Sequence, residues 1–279
     1  MSKRLVTWVD LGISSYREAW DLQRLLQGAK ILPKLSEKSR AMKEVELEEV
    51  RQRLQRQNPE FVTLAQDLPV ENDVVLLTQH RPVYTLGKSG DAAHLLLSQE
   101  RLDAIDAEWV KSDRGGDITF HGPGQWTGYP ILDLDHHGTD IHLYLRNLEQ
   151  WMIRTAQHFD VESTRIEGLT GTWVEDRKLC AFGVKCSRWV TMHGFALNVH
   201  TDLSYFDYIV PCGIKDKHVT SLSQELDRPV QMNEVVDPLV ETMKTIFDVH
   251  IEFVHVEFVH VETVQVESIQ PEYVQEKIV

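Results

Sequence analysis

Cysteine is scarce in this sequence: three in 279 residues, an odd number with no framework spacing. A disulfide scaffold is excluded, and free thiols point to a reducing compartment, here expected to be the cytoplasm. No apolar run approaches the ~18 residues that a spanning helix needs. The start MSKRLVTWVDLG has no apolar core of the kind a secretory signal carries. Positive charge is also short, with 29 Lys and Arg against 43 Asp and Glu and a net charge of −14. That leaves no basic surplus for phosphates, so neither nucleic acid nor an anionic membrane is expected as a partner. The glycine-rich run 114–134 holds no lysine and no G-x-x-x-x-G-K-[ST], which excludes a Walker phosphate loop.

What remains is an ordinary globular composition, 42% hydrophobic and 26% charged, long enough for one generous core. VTWVDLG alternates like a strand. Ser15, three residues before Glu18, opens an amphipathic helix with a capping-box pattern. Residues 36–57 are heavily charged, with Met42, Val45, Leu47, Val50 and Leu54 as a thin apolar stripe, and predict a surface helix inserted against the body. DVVLLTQH and PVYTLG predict a strand and a short extended piece, and YPILDLD another strand. Asp140 caps a helix with apolar residues at 141, 145, 148, 152 and 156. Residues 170–199 predict two or three strands with EDR as a hairpin tip, their ladders interrupted at Gly183 and Gly194. A last helix is expected over 232–247. Strands and helices mix without strict alternation, which favours an α+β or mixed-sheet α/β domain.

From Ile251 the chain reads IEFVH, VEFVH, VETVQ, VESIQ, PEYVQ, a five-residue repeat matching neither the helical nor the strand period. The expected division is therefore a catalytic domain at 1–249 and an acidic pentapeptide tail at 250–279. An extended tail and a docking strand both remain open for it.

The run RGGDITFHGPGQWTGYPILDL (114–134) contains five glycines, two prolines, one arginine and one histidine. Such backbone freedom serves close approach to a ligand. GPGQWTG departs from the dinucleotide fingerprint, with three residues before its last glycine and a strand where a helix is needed. Cys180, Cys186 and His193 are too widely spaced for a structural zinc pair, so no metal is expected. Cys180 and Cys186 read as buried small hydrophobes. His80, His121 and His193 are either a catalytic group or hydrogen-bonded packing residues. Cys212, between Pro211 and Gly213, is either an ordinary turn cysteine or a nucleophile, and as a nucleophile it needs a cation nearby.

Together, VDLGISSYREAWDLQ, LLTQHRPVYTLGKS, RGGDITFHGPGQ, YPILDL, DRKLCAFGVKCSRWVTMHGFALNV and VPCGIKDKHVTSL resemble the lipoyl(octanoyl) transferases, also called the lipoate–protein ligase B family. The resemblance runs through nearly the whole chain in this order. It implies a single α/β domain of the biotin/lipoate protein ligase type, with a mixed sheet flanked by helices. It implies that Cys212 is an acyl-thioester nucleophile and that Lys178 lowers its pKa. It implies an acyl-site wall made of Arg114, Gly115, Gly116, Asp117, Ile118, Thr119, Phe120 and His121, with Ala181, Phe182, Gly183, Gly194, Phe195 and Ala196.

The implied activity is transfer of octanoate from octanoyl-acyl carrier protein to a lysine of an apo lipoyl domain, the first step of endogenous protein lipoylation. No cofactor is implied. The implied partners are acyl carrier protein and the lipoyl domains of 2-oxoacid dehydrogenases and glycine cleavage H protein, met by a monomer. Lys185, Arg188, Lys215 and Lys217 are candidates for a basic docking rim. The alternative within the fold is an ATP-dependent lipoate or biotin protein ligase, which needs no cysteine. The charged helix near 36–57 and the repeat tail have no counterpart in the resemblance.

Overall fold

In the run Asp73–His80 every residue but Gln79 is buried, a pattern that requires cover on both faces of a sheet. Val75 and Leu77 point into one apolar cluster while Val74 and Leu76 point into another, as the two-residue strand period dictates. The rest of the architecture supplies those two covers.

The computed structural model describes residues 3–210 and 218–254. In chain order the elements are β1 (Arg4–Ser14), α1 (Tyr16–Ile31), α2 (Glu37–Gln57), α3 (Pro59–Asp67), β2 (Asp73–His80), β3 (Val83–Leu86), α4 (Gln99–Ala104), β4 (Glu108–Lys111), β5 (Ile118–His121) and β6 (Gln125–Ile131). There follow α5 (Ile141–Gln157), β7 (Thr164–Ile166), β8 (Leu169–Val174), β9 (Arg177–Ser187), β10 (Val190–Asn198), β11 (His218–Val219), α6 (Leu222–Glu225), α7 (Met232–Ile246) and β12 (Val249–Val254). The large mixed sheet has nine strands in the order β12-β1-β2-β6-β10-β9-β8-β7, with β11 beside β9. Helices α1, α2 and α3 cover one face, and α5 and α7 the other. The smaller sheet, β4-β3-β5, has its own apolar cluster around Tyr84, Phe120 and Ile209. This is the mixed α/β architecture expected.

Local signals hold at most helix starts. The Ser15 hydroxyl accepts from the Glu18 N–H, and the Asp140 carboxylate from those of His142 and Leu143. The charged helix is α2, but only Leu47, Val50 and Leu54 of its stripe are buried, while Met42 and Val45 are 70% and 63% exposed. The expected stripe was too wide because 42 and 45 fall off the 47–50–54 face of a 3.6-residue helix.

Three expectations need correcting. The strand placed at YPILDLD lies earlier, at β6, and ends at Ile131. Gly183 and Gly194 do not interrupt a ladder but pair with each other in the continuous β9–β10 register. The boundary at 249/250 cuts through a strand, since β12 pairs in parallel with β1 from Arg4↔Val249 to Val9↔Val254. Phe253 packs on Trp8, ring centroids 6.4 Å apart. Residues 251–254 of the first repeat unit thus lie in the sheet, and residues 255–279 lie outside the described residues.

Candidate active site

β9 and β10 bring four small residues to one place: Ala181 pairs with Ala196, and Gly183 with Gly194. They form part of a floor so smooth that the loop before β5 lies against it. The Gly115 N–H donates to the Val184 carbonyl at 2.9 Å. Gly116 makes the loop's sharp bend at φ +83°, a conformation that costs glycine little.

Between floor and loop lies a cavity of about 460 Å³, within the range of small-ligand sites. Of the expected wall, Arg114, Gly115, Gly116, Asp117, Ile118, Thr119, His121, Ala181, Phe182, Gly183, Gly194, Phe195 and Ala196 line it, and so does Lys178. Phe120 does not. Its ring turns into the small sheet's core, stacked on Tyr205 at 4.5 Å, because successive strand residues face opposite ways. Sequence reasoning did not find Tyr16, Gln125, Thr127, Tyr129, Trp173 or Asn198, which also line the cavity. Gln125 and Asn198 stand inside the resembling motifs, and that was the one available signal for them.

The polar groups are held firmly. The Arg114 guanidinium donates to the Thr85 carbonyl at 2.6 Å, to the Thr85 hydroxyl at 2.9 Å and to the Gly115 carbonyl at 2.9 Å. The Lys178 ammonium lies 4.7 Å from the centroid of the Trp173 ring, a cation–π arrangement. Cys212, Lys215 and Lys217 lie outside the described residues.

The three histidines separate. His80 does not line the cavity; its ring bonds Ser14 O and the Tyr129 hydroxyl, and burial pushes its pKa down to about 4. His121 and His193 do line the cavity. Burial, with His80 and Arg114 nearby, holds His121 well below the ordinary imidazole value. His193, at φ +58°, donates its backbone N–H to the Gln23 side-chain oxygen at 2.9 Å. Its Nε2 bonds Asp113 at 2.7 Å, and burial lowers its pKa despite that carboxylate.

Lys185 is ion-paired to the same Asp113 at 2.5 Å, so it is not a free rim cation. Arg188 sits in the β9–β10 turn, ten strand positions from Lys178 and so on the order of 30 Å away at 3.3 Å per residue. Cys180 is fully buried, with its thiol pushed well up by burial, and Cys186 packs against the same core.

The family described as lipoyl protein ligase A/B catalytic domain matches residues 60–244. An octanoyltransferase of Cytophaga hutchinsonii is 46% identical over 254 residues, 87% of this chain and 93% of that protein. One of Flavobacterium johnsoniae is 53% identical over 191 residues, 66% of this chain and 82% of that protein. Among solved structures, a lipoate-protein ligase A bound with ATP superposes with a TM-score of 0.62 at 12% identity, covering 92% of this chain and 90% of that one. A bipartite lipoate protein ligase from Thermoplasma acidophilum gives 0.60 at 12% identity, covering 92% and 88%. At such identity these two structures speak for the fold.

Proposed function

The chain belongs to the lipoyl protein ligase A/B catalytic domain family, and on that premise we propose that its cavity takes an octanoyl group from octanoyl-acyl carrier protein and delivers it to a lipoyl-domain lysine. It is an octanoyltransferase, an acyltransferase of protein lipoylation. The ligase alternative is not favoured, because relatives at 44–53% identity are octanoyltransferases. The ligases resemble this chain only in fold.

The observation that carries the reading is the narrow slot between the Gly/Ala floor and the Arg114–His121 segment, with Lys178 on its wall. A flat backbone floor suits an unbranched acyl chain, since it leaves no side chain to collide with it. Cys212 attacks the carrier thioester, its S–C bond forms, and the carrier thiol leaves. The lysine amine then attacks the acyl-enzyme; a C–N bond forms, the C–S bond breaks, and Cys212 recovers its thiol. Thioester exchange is nearly balanced and amide formation runs downhill, so neither ATP nor another cofactor is needed. Splitting one transfer into two is the usual gain of covalent catalysis.

Lys178 serves as the cation for the thiolate. At ~4 Å and an effective dielectric near 20, such a pair is worth on the order of 4 kcal/mol. Lowering a thiol from ~8.5 to ~7 needs only about 2 kcal/mol. The partners are acyl carrier protein and the lipoyl domains of 2-oxoacid dehydrogenases and glycine cleavage H protein. The protein works as a monomer in the cytoplasm, where thiols stay reduced. No helix among the described residues is long and apolar enough to cross a membrane.

The test is intact mass after mixing with octanoyl-carrier protein without ATP. One octanoyl group on Cys212, discharged by an apo lipoyl domain, is expected. An ATP requirement, or no adduct, overturns the reading.

A further inference from the structure

Lys178 stands where β9 changes neighbours. On one side it pairs with Trp173 of β8. On the other, the register with β10 ends at Cys180↔Leu197, and β11 takes over. His218 pairs with Arg177 and Val219 with Lys178, and the Thr220 N–H donates to the Lys178 carbonyl at 3.0 Å. A two-residue strand has few backbone bonds of its own, so the side chains around it decide whether it stays.

Those side chains converge on Glu225 of α6. The Arg177 guanidinium donates to one carboxylate oxygen at 2.9 Å and to the other at 3.1 Å, the paired geometry of a planar fork. The buried Thr220 hydroxyl donates to the same carboxylate at 2.5 Å, and the Asn198 amide donates to the Thr220 carbonyl at 2.9 Å. Arg177 holds the Glu225 carboxyl below the ordinary carboxylate range, while its remaining arm meets exposed Glu175. The Glu225 side chain is only 12% exposed, unlike the loose surface pairs that contribute little. Arg177, Thr220 and Glu225 all stand outside the cavity wall.

β11 is where the described chain resumes after residues 211–217. On the earlier flank, the Val210 N–H donates to the His94 carbonyl at 2.9 Å, and Ile209 bridges to Leu95. Both flanks of the segment that carries Cys212 are thus bonded, and the later one is bonded to Lys178 itself.

We propose that Glu225 and Arg177 are positioning residues that latch β11 onto β9 at Lys178, and thereby hold the spacing on which the lysine's pull on the Cys212 thiolate depends. This rests on the acyl-transfer reading. The attraction between unlike charges weakens as they separate, so a loosened latch leaves the thiol harder to ionise. A direct charge effect is distinguishable by its sign. Removing a carboxylate favours a thiolate and removing a guanidinium disfavours it, whereas loss of the latch disfavours it in both cases.

The test is the pH profile of alkylation by iodoacetamide, read on the Cys212 peptide by mass spectrometry. Wild-type protein is expected to ionise below the ordinary ~8.5 of a thiol. Glu225→Ala and Arg177→Met should each move the midpoint up by about half a unit, a roughly threefold loss of thiolate at pH 7. Arg177→Lys, which keeps the charge without the fork, should move it the same way. Octanoyl-adduct formation should slow about threefold at pH 7 and recover at pH 9, and hydrogen exchange at Val219 and Thr220 should quicken. In a Lys178→Met background, Glu225→Ala should add no further shift, as expected for residues acting through one another. A Glu225→Ala profile that is unmoved or lowered overturns the proposal. So does an equal shift in the Lys178→Met background. An absence of any octanoyl adduct on wild-type Cys212 defeats the acyl-transfer reading instead, while the alkylation profiles still decide the latch.

Discussion

Gly183 and Gly194 stand opposite each other on β9 and β10, and neither has room for a methyl group. A Cβ on Gly183 would lie 2.9 Å from Gly115 O and 3.0 Å from the Arg114 side chain, and one on Gly194 would run into Gly128 O. Gly183→Ala is expected to cost about 1–3 kcal/mol, as overpacking usually does. It should reduce octanoyl-adduct formation more than it lowers the urea midpoint. Full acylation by Gly183→Ala would show that the acyl chain does not lie on this floor.

Lys178→Met should slow adduct formation strongly at pH 7 and recover part of the rate at pH 9, where an unassisted thiol ionises. Lys178→Arg should restore little, because a planar guanidinium on a longer stem does not place its charge where the compact ammonium does. Cys212→Ala should abolish the adduct at every pH, whereas Cys180→Ala and Cys186→Ala should not. A Lys178→Met protein with an unchanged pH–rate profile would remove the lysine from the mechanism.

Acid should weaken the fold through His80. Its pKa, about 4 in the folded protein, lies below the ordinary ~6.5 of the unfolded chain. Between those values the unfolded state binds more protons, so this stabilisation is complete above pH ~6.5 and fades as pH falls toward 4. The full effect is about 3 kcal/mol at 1.36 kcal/mol per unit. Urea titrations at pH 7.5 and 5 should show the loss, and His80→Gln should flatten the difference between them. An unaltered difference would place the acid sensitivity elsewhere.

On α2, Leu54→Ala should cost about 2–5 kcal/mol as a core truncation. Met42→Ala, on the 70% exposed face, should stay within about 0.5 kcal/mol. Denaturation midpoints of the two variants decide it, and similar losses would mean that Met42 has a partner of its own.

At the other end, a chain stopped at residue 249 loses all but the first residue of β12 and bares the edge of β1, which invites edge-to-edge aggregation. A chain stopped at 254 keeps the strand and should remain monodisperse by size exclusion. Equal behaviour of the two would mean that the strand adds nothing to the fold.

What the residues disclosed in advance follows the range of the forces involved. Helices α1, α5 and α7 announced themselves because capping and the 3.6-residue stripe are local. Helix α3 escaped notice although Asn58 caps it and Pro59 opens it, since nine residues carry too short a stripe to stand out. The glycines at 183 and 194 looked like breaks because a single strand does not reveal its partner; each is the other's partner. Cys212 stood out locally between Pro211 and Gly213, but its role and its pairing with Lys178 came only through resemblance to a family. Tyr16, Thr127 and Tyr129 reach the cavity from α1 and β6, and only the folded sheet joins them to the loop at 114–121.

The floor of the slot also sets the direction in which its width can drift. Where main chain and single methyl groups form a surface, mutation can add atoms but has almost none left to remove. Apart from the loss of one methyl at Ala181 or Ala196, changes at Ala181, Gly183 or Ala196 therefore narrow the passage, toward thinner or shorter guests. A lineage that came to accept bulkier or branched acyl groups would have to alter the opposite wall, between Arg114 and His121, or shift whole strands. The glycine pair is a mutational ratchet, and it ties the breadth of the substrate range to the loop above it.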